Sequence, residues 1–186
     1  MRRIAIIWLL FLGVLPGVAR ADAIPADLEM AIHLKILSFD AGLKQRATGD
    51  TIVIGVVYPS DHKSRASDLV NATNSLSDKS GVTVHGKRVR AVALPLTPDI
   101  ADRLGGIAVL YAVEDLGSDQ VSTLAGIAFA RKMPLLSGNR GFLSNGVAVA
   151  VIQKDNKPSI VVHVGNAKQC GMVLDSKLLR LAEVVK

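Results

Sequence analysis

Two continuous apolar runs constrain the fold more than any other feature of this sequence. Residues 51–57 read TIVIGVV and residues 107–113 read IAVLYAV. Runs of this kind are typical of strands that are covered on both faces, and such strands occur mainly in parallel sheets flanked by helices. The two runs therefore predict an α/β architecture.

The segments around these runs show helical and short-strand patterns. In the first of them, a proline stands at the start, and Asp27 and Glu29 suit the positive end of a helix. Ser118 is a plausible N-cap for a later helix. We expect helices over residues 25–47, 63–78 and 98–103 and from Ser118, and short strands over residues 82–84, 88–94 and 133–137.

The pattern changes in the last third of the chain. Residues 147–152 and 160–164 are predicted strands joined by a short polar turn, which indicates an antiparallel hairpin. The complete pattern predicts an α/β sandwich with a mixed, mostly parallel sheet and a C-terminal antiparallel hairpin. A final helix is predicted over residues 175–185, with Leu178, Leu181, Ala182 and Val185 on its buried face.

The first 21 residues indicate export. Two arginines precede an apolar run over residues 4–14, and Ala19-Arg20-Ala21 has the small residues that a signal peptidase recognises. The run is shorter than the roughly 20 residues of a membrane-spanning helix. We predict a signal peptide that is cleaved after Ala21 and a single exported domain over residues 22–186. An uncleaved membrane anchor is the alternative.

Charge and cysteine content narrow the function classes further. The formal net charge of +6 falls to +3 without Arg2, Arg3 and Arg20 of the leader, which is too small for a nucleic-acid-binding protein. Cys170 is the single cysteine, so it cannot form a disulfide within the chain. We expect a buried, inert thiol, and an intermolecular disulfide is the alternative.

The sequence contains no recognisable catalytic or metal-binding motif. None of the four histidines has a second histidine or a cysteine at metal-ligand spacing. His33 follows Glu29 by four residues, which is a weak metal pair, and a packing or surface role is favoured. Because no nucleophile and base can be paired, we predict neither enzymatic activity nor a metal or other cofactor.

One group of polar residues is expected to converge in space. Ligands of open α/β sheets bind beyond the carboxyl ends of the strands, and three predicted strands here are followed by polar loops. Turn and cap roles are the alternative, since these residue types favour turns. Arg140, which has glycines nearby on both sides, is the expected functional member. The candidate binding residues are Asp61, His62, Asp115, Ser118, Asn139 and Arg140.

A basic stretch marks the start of the predicted strand over residues 88–94. Strand alternation places Arg88 and Arg90 on one face. Two interpretations remain, a surface for an acidic partner and ordinary solvated charge on an edge strand.

The C-terminal third resembles a known family. Its features are Gly141-Phe142, the strand that begins Gly146-Val147-Ala148-Val149, the segment over residues 160–167 that ends in an asparagine-containing turn, and a helix of the type S-x-L-L-x-L-A from Ser176. This combination resembles the YfiR-like family of periplasmic proteins. The likeness extends over nearly all of the mature chain and is specific mainly after Gly138. The chain departs from many members in having no Trp-Pro after the first helix and no second cysteine.

The resemblance implies a regulatory role. A YfiR-like protein would dock on the periplasmic domain of an inner-membrane signalling protein, either a diguanylate cyclase of cyclic-di-GMP signalling or a sensor kinase, and modulate or repress it. The family implies no catalytic residues. A periplasmic small-molecule binding module that uses the strand-end crevice is the alternative function, and an exported enzyme is a more distant one. A homodimer remains open, and nucleic acid is not an expected partner.

Overall fold

The structure is a computed structural model that describes residues 24–47 and 49–186. The predicted signal peptide and its cleavage site after Ala21 lie outside these residues. The helices are α1 Ala26–Leu37, α2 Ala41–Arg46, α3 Ser64–Asp78, α4 Ser118–Arg131, α5 Val164–Gln169 and α6 Ser176–Leu181. The strands are β1 Thr51–Tyr58, β2 Arg88–Pro95, β3 Val109–Ala112, β4 Leu135–Ser137, β5 Val149–Lys154, β6 Lys157–His163 and β7 Glu183–Val185.

The strands form one mixed sheet in the order β2-β1-β3-β4-β5-β6-β7. Strands β2 to β5 pair in parallel, β5 pairs with β6 antiparallel, and β7 returns parallel to β6. In β1, Ile52, Ile54 and Val56 are completely buried, as expected for a strand inside a parallel sheet. The predicted fold class, including the C-terminal antiparallel hairpin, is confirmed.

The first predicted helix is wrong in its length, because the chain breaks it into α1 and α2. The break falls at Ser38 and Phe39, and Asp40 then begins α2 as its N-cap. The Asp40 carboxylate accepts the backbone N–H of Gly42 at 3.0 Å. A short acidic side chain at this place stabilises a helix start, so a new helix begins instead of the old one continuing.

The prediction for the C-terminus is also wrong in part. Helix α6 ends at Leu181, and the next residues form β7 beside β6. Leu178 is 1% exposed as predicted, whereas Leu181 is 75% exposed and does not belong to the buried face. Because β6 offers an open edge, the last two valines pair with it as a strand, a conformation that β-branched residues favour.

Three smaller corrections concern local structure. Residues 82–84 form no strand, and Val84 makes only an isolated bridge with Lys87. The helix expected over residues 98–103 is a short 3-10 helix, Ile100–Arg103. The N-cap of α4 is Gly117 and not Ser118, since the Gln120 side chain accepts the Gly117 N–H at 2.9 Å.

Helices α1 and α3 pack against each other, and α3 lies along β1 and β2 while α1 also contacts β5. Met30, Leu34 and Leu37 of α1 are at most 1% exposed and join the main core. Within the described part of the chain, no helix has both the length and the apolar character that a membrane span requires.

Candidate functional site

The loops predicted to converge lie at one edge of the sheet. Strands β1, β3 and β4 are neighbours and run parallel, so the loops after them share the carboxyl edge. Each loop or adjoining first turn carries two of the six predicted binding residues. Asp61 and His62 follow β1, Asp115 and Ser118 follow β3, and Asn139 and Arg140 follow β4.

The residues after β1 and β3 face solvent. Asp61 Oδ1 and His62 Nδ1 are 3.0 Å apart, and both side chains are more than half exposed. The hydrogen bond from His62 lowers the pKa of Asp61. Asp115 is exposed in the loop after β3, and Ser118 is exposed in the first turn of α4. These four residues therefore lie on the rim of the edge.

The residues after β4 have structural partners. The Asn139 side chain accepts the Gly141 N–H at 2.8 Å and so caps the short helix that follows. Arg140 forms a charge-assisted hydrogen bond with Glu183 of β7, which holds the pKa of Glu183 well below its usual range. Sequence reasoning missed this pair because residue 183 was assigned to a helix.

A group of ionisable side chains lies beneath these loops, and we call it the buried polar cluster. Its members are Glu29 and His33 of α1, Arg65 of α3, Tyr111 of β3 and Glu114 after β3. Glu29 is 1% exposed and accepts hydrogen bonds from the Tyr111 hydroxyl and the Arg65 guanidinium. The same guanidinium nitrogen lies 3.4 Å from Glu114 Oε1. Two carboxylates therefore share one cation.

His33 is buried in the cluster beside Glu29 and Tyr111. Its Nε2 lies 3.8 Å from Glu29 Oε1, and its ring meets the Tyr111 ring edge to face at a centroid distance of 5.3 Å. Among the residues that the structure describes, neither ring nitrogen has a partner of standard hydrogen-bond geometry. Burial lowers the pKa of His33 to about 3, although the nearby backbone of Ser137 opposes the shift. The ring is therefore neutral near pH 7.

Gly138 makes room for the two carboxylates. A Cβ atom at this position would lie 2.7 Å from Glu29 Oε1 and would overlap Glu114 Oε1. Real Cβ atoms do not approach oxygen so closely, so any larger residue would push the carboxylates away from the strand end. The lack of a side chain at Gly138 is thus part of the geometry of the cluster.

The environment of Glu29 favours its protonated form. Burial raises its pKa, the negative charge of Glu114 raises it further, and Tyr111 and Arg65 only partly oppose these effects. The resulting pKa is about 7. A carboxylic acid of this kind can gain and lose a proton near neutral pH.

One feature of the sequence pointed to part of this cluster. Glu29 and His33 were recognised as a pair on one helix face, and the favoured packing or surface role did not foresee two buried ionisable groups. Within residues 24–47 and 49–186, no group of three or more His, Cys, Asp or Glu side chains could hold a metal ion. The structure gives the pair other partners instead, Tyr111 and Arg65.

The basic stretch lies at the start of β2, toward the amino ends of the parallel strands. Arg88 and Arg90 are exposed on β2, which is an edge strand. Arg90 lies 3.3 Å from Asp78, and both of these side chains are more than half exposed. A surface pocket of about 220 Å³ is lined here by Thr51, Ser77, Asp78, Arg88 and Arg90.

Several solved structures share this fold at low sequence identity. A conserved domain protein from Vibrio cholerae O1 biovar eltor matches with a TM-score of 0.61 and 15% identity, covering 89% of this chain and 61% of that protein. A ligand-free, open substrate-binding protein with adhesive properties from Clostridium difficile matches with a TM-score of 0.55 and 18% identity, covering 77% and 57%. The ABC domain in complex with L-Trp from Streptococcus pneumonia matches with a TM-score of 0.59 and 14% identity, covering 87% and 62%.

These matches establish the fold alone, and the chain spans about three-fifths of the length of each structure. A search of curated protein sequences finds no significant match. The family model described as YfiR/HmsC-like matches residues 26–183, which is almost all of the described chain. The chain therefore belongs to the YfiR/HmsC-like family of periplasmic regulatory proteins.

Proposed function

We propose that this protein docks on the periplasmic domain of an inner-membrane signalling protein, a diguanylate cyclase or a sensor kinase, and represses it. The observation that carries the proposal is the family match over residues 26–183. Repression by docking requires that the regulator bind the inactive state of its partner more tightly than the active state. The protein then needs a complementary surface and no reaction centre.

The face of β2 that carries Arg88 and Arg90 is the docking surface that we propose. Both guanidinium groups are exposed, and the ion pair between Arg90 and Asp78 is exposed as well. Exposed ion pairs of this kind stabilise a fold very little, so these arginines are available to an acidic partner at small cost. Val92, on the same face of the strand, is 38% exposed and adds an apolar contact beside the two charges.

The partner would contact side chains on this surface and would not add a strand to the sheet. The free edge of β2 is already occupied by α3, because Asn74 accepts the Ala91 N–H at 2.8 Å and donates to the Ala91 carbonyl at 3.3 Å. The Ser77 hydroxyl accepts the Val89 N–H at 3.2 Å. Such coverage protects an edge strand against pairing with another chain.

Binding to the periplasmic domain of a co-encoded membrane sensor tests this proposal. We expect the charge reversal Arg88→Glu with Arg90→Glu to weaken the complex, mainly through a slower association rate that depends on salt. The matched control reverses two exposed lysines elsewhere, Lys157→Glu with Lys177→Glu. Equal binding by both double variants would reject the surface, and the absence of binding by the wild type to any such domain would reject the proposed function.

The alternative function is small-molecule binding at the carboxyl edge of the sheet. It is supported by the position of Asp61, His62, Asp115, Ser118, Asn139 and Arg140 around that edge. Calorimetry with a panel of amino acids and small carboxylates tests it. Saturable binding that is weakened by Arg140→Gln, and unchanged by Arg88→Gln with Arg90→Gln, would favour this function over docking.

A further inference from the structure

The buried polar cluster carries one more negative than positive group when its carboxylates are ionised. Glu29 and Glu114 share the guanidinium of Arg65, and His33 beside them is neutral. Glu114 and Arg65 are 31% and 21% exposed, so water can solvate both. Glu29 is 1% exposed, and the free-energy cost of the unbalanced negative charge is therefore largest when that charge is on this residue.

Four groups face the Glu29 carboxylate from the elements around it. His33 belongs to the same helix, Tyr111 to β3, Glu114 to the loop after β3, and Arg65 to α3. Tyr111 and Arg65 donate hydrogen bonds to Glu29, whereas Glu114 repels it. His33 contributes a buried imidazole whose Nε2 lies 3.8 Å from Glu29 Oε1. A single added proton would remove the charge imbalance.

The cluster also attaches the start of α1 to the rest of the fold. Besides Glu29, Arg65 contacts the carbonyl of Ile24, just before the helix, at 3.4 Å. At the other side, Gly138 allows the Glu29 and Glu114 carboxylates to lie against the end of β4. The position of the first turns of α1 is thereby coupled to the charge of the cluster.

We propose that the buried polar cluster is a proton-controlled latch for the N-terminal end of α1. With a proton on Glu29, the first turns of the helix stay packed on the carboxyl edge of the sheet. When Glu29 loses the proton, its buried charge is stabilised by water, and these turns open more often. The latch goes beyond the proposed function because it operates in the isolated protein. The elevated pKa of Glu29, about 7, supports a response near neutral pH.

Hydrogen–deuterium exchange of the protein purified from the envelope fraction tests the latch. After correction for intrinsic exchange, the opening constant of the first turns of α1 should rise about tenfold between roughly pH 6 and pH 8. Glu29→Gln should remove this rise, since its side chain does not titrate. Asp27→Asn, an exposed change on the same helix, should keep the wild-type rise. A flat profile in the wild type, or an unchanged rise in Glu29→Gln, would overturn the proposal.

A second variant keeps the test decisive if Glu29→Gln does not fold. The Tyr111 hydroxyl donates to Glu29 and favours its ionised form, so Tyr111→Phe should move the midpoint of the exchange profile to higher pH. A role of Tyr111 in packing alone would change the amplitude and leave the midpoint in place. An unmoved midpoint would show that Glu29 is not the titrating group and would overturn the latch.

Discussion

The two ends of the N-terminal region bury one carboxylate each, and the two carboxylates have different surroundings. Asp40, after α1, is completely buried and accepts the N–H groups of Gly42 and Val173 at 3.0 and 2.7 Å. Its second oxygen accepts from Arg46 at 2.8 Å. Glu29, near the start of α1, also has two donors, but a second carboxylate and the buried imidazole of His33 lie beside it.

The difference lies in how the partners are supplied. Asp40 receives two backbone amides and a cation of its own. It ties the turn between α1 and α2 to the C-terminal segment around Val173. Glu29 must share its cation with Glu114, and no backbone amide within residues 24–47 and 49–186 donates to its side chain. We therefore call the contacts around Asp40 the amide-held joint and those around Glu29 the shared-cation joint.

Removal of the amide-held joint should have the largest effect on stability. Asp40→Ala leaves two amides and the part-buried Arg46 without their shared acceptor, and breaking such a buried pair costs about 3–5 kcal/mol. Urea unfolding at pH 7 measures the change in the free energy of unfolding. Asp68→Ala, on the exposed side of α3, is the control and should cost less than about 0.5 kcal/mol. Similar costs for Asp40→Ala and Asp68→Ala would show that Asp40 does not stabilise the turn between α1 and α2.

A methyl group placed inside the buried polar cluster should have the next largest effect. Gly138→Ala forces the Glu29 and Glu114 carboxylates away from the end of β4, and overpacking of this kind costs about 1–3 kcal/mol. Gly126→Ala is the matched control. Its Cβ would meet open space on helix α4, so it should stabilise the protein by about 0.5–1 kcal/mol. Thermal unfolding measures both changes in stability. A neutral Gly138→Ala would show that a side chain at this position does not displace the two carboxylates.

A rise in pH through neutrality should lower the stability of the wild type, because Glu29 loses its proton. Its pKa is raised from 4.5 to about 7 on folding, so the contribution is fully present below pH 4.5 and is lost as the pH rises through 7. Between roughly pH 6 and 8 the loss is about 1.4 kcal/mol, equivalent to a tenfold change in the unfolding constant. Urea unfolding at several pH values measures it, with Glu29→Gln as the control. A wild-type stability that increases over this interval would contradict the sign.

Replacement of His33 should change stability least at neutral pH and should change its acid dependence. The pKa of His33 falls from 6.5 to about 3 on folding, so its contribution is present above pH 6.5 and is lost as the pH falls toward 3. His33→Leu removes a buried ring for which the described residues supply no partner of hydrogen-bond geometry, and we expect this change to be nearly neutral or slightly stabilising at pH 7. Urea unfolding at pH 4 to 7 should show a weaker acid loss in this variant. A destabilised variant at pH 7 would show that the imidazole has an essential partner.

The parts of the fold that depend on local pattern were predictable, and those that depend on distant partners were not. The runs at β1 and β3 are apolar by themselves, and they identified the parallel sheet correctly. At the break after α1, a contact between Asp40 and distant Val173 adds to the local Asp40 cap, and β7 depends on an open edge of β6. Neither contact leaves a mark in its own segment of sequence.

The candidate site divides in the same way. The carboxyl edge was located from the order of strands and loops, and all six residues predicted for it lie in those loops or in an adjoining turn. The buried polar cluster joins α1, α3 and the end of β3, and their meeting is decided by tertiary packing. The pair Glu29 and His33 was visible in the sequence, but Arg65 and Glu114 had no pattern to connect them with it.

The most direct test of the pH dependence assigned to Glu29 is the titration of its carboxyl group, monitored by carbon-13 NMR in the folded wild-type protein. We expect a midpoint near pH 7, because the side chain is buried beside Glu114. Tyr111→Phe should raise that midpoint further, since the hydroxyl favours the ionised form. A midpoint near 4.5, the ordinary value for glutamate, would contradict this expectation and would remove the pH dependence assigned to Glu29.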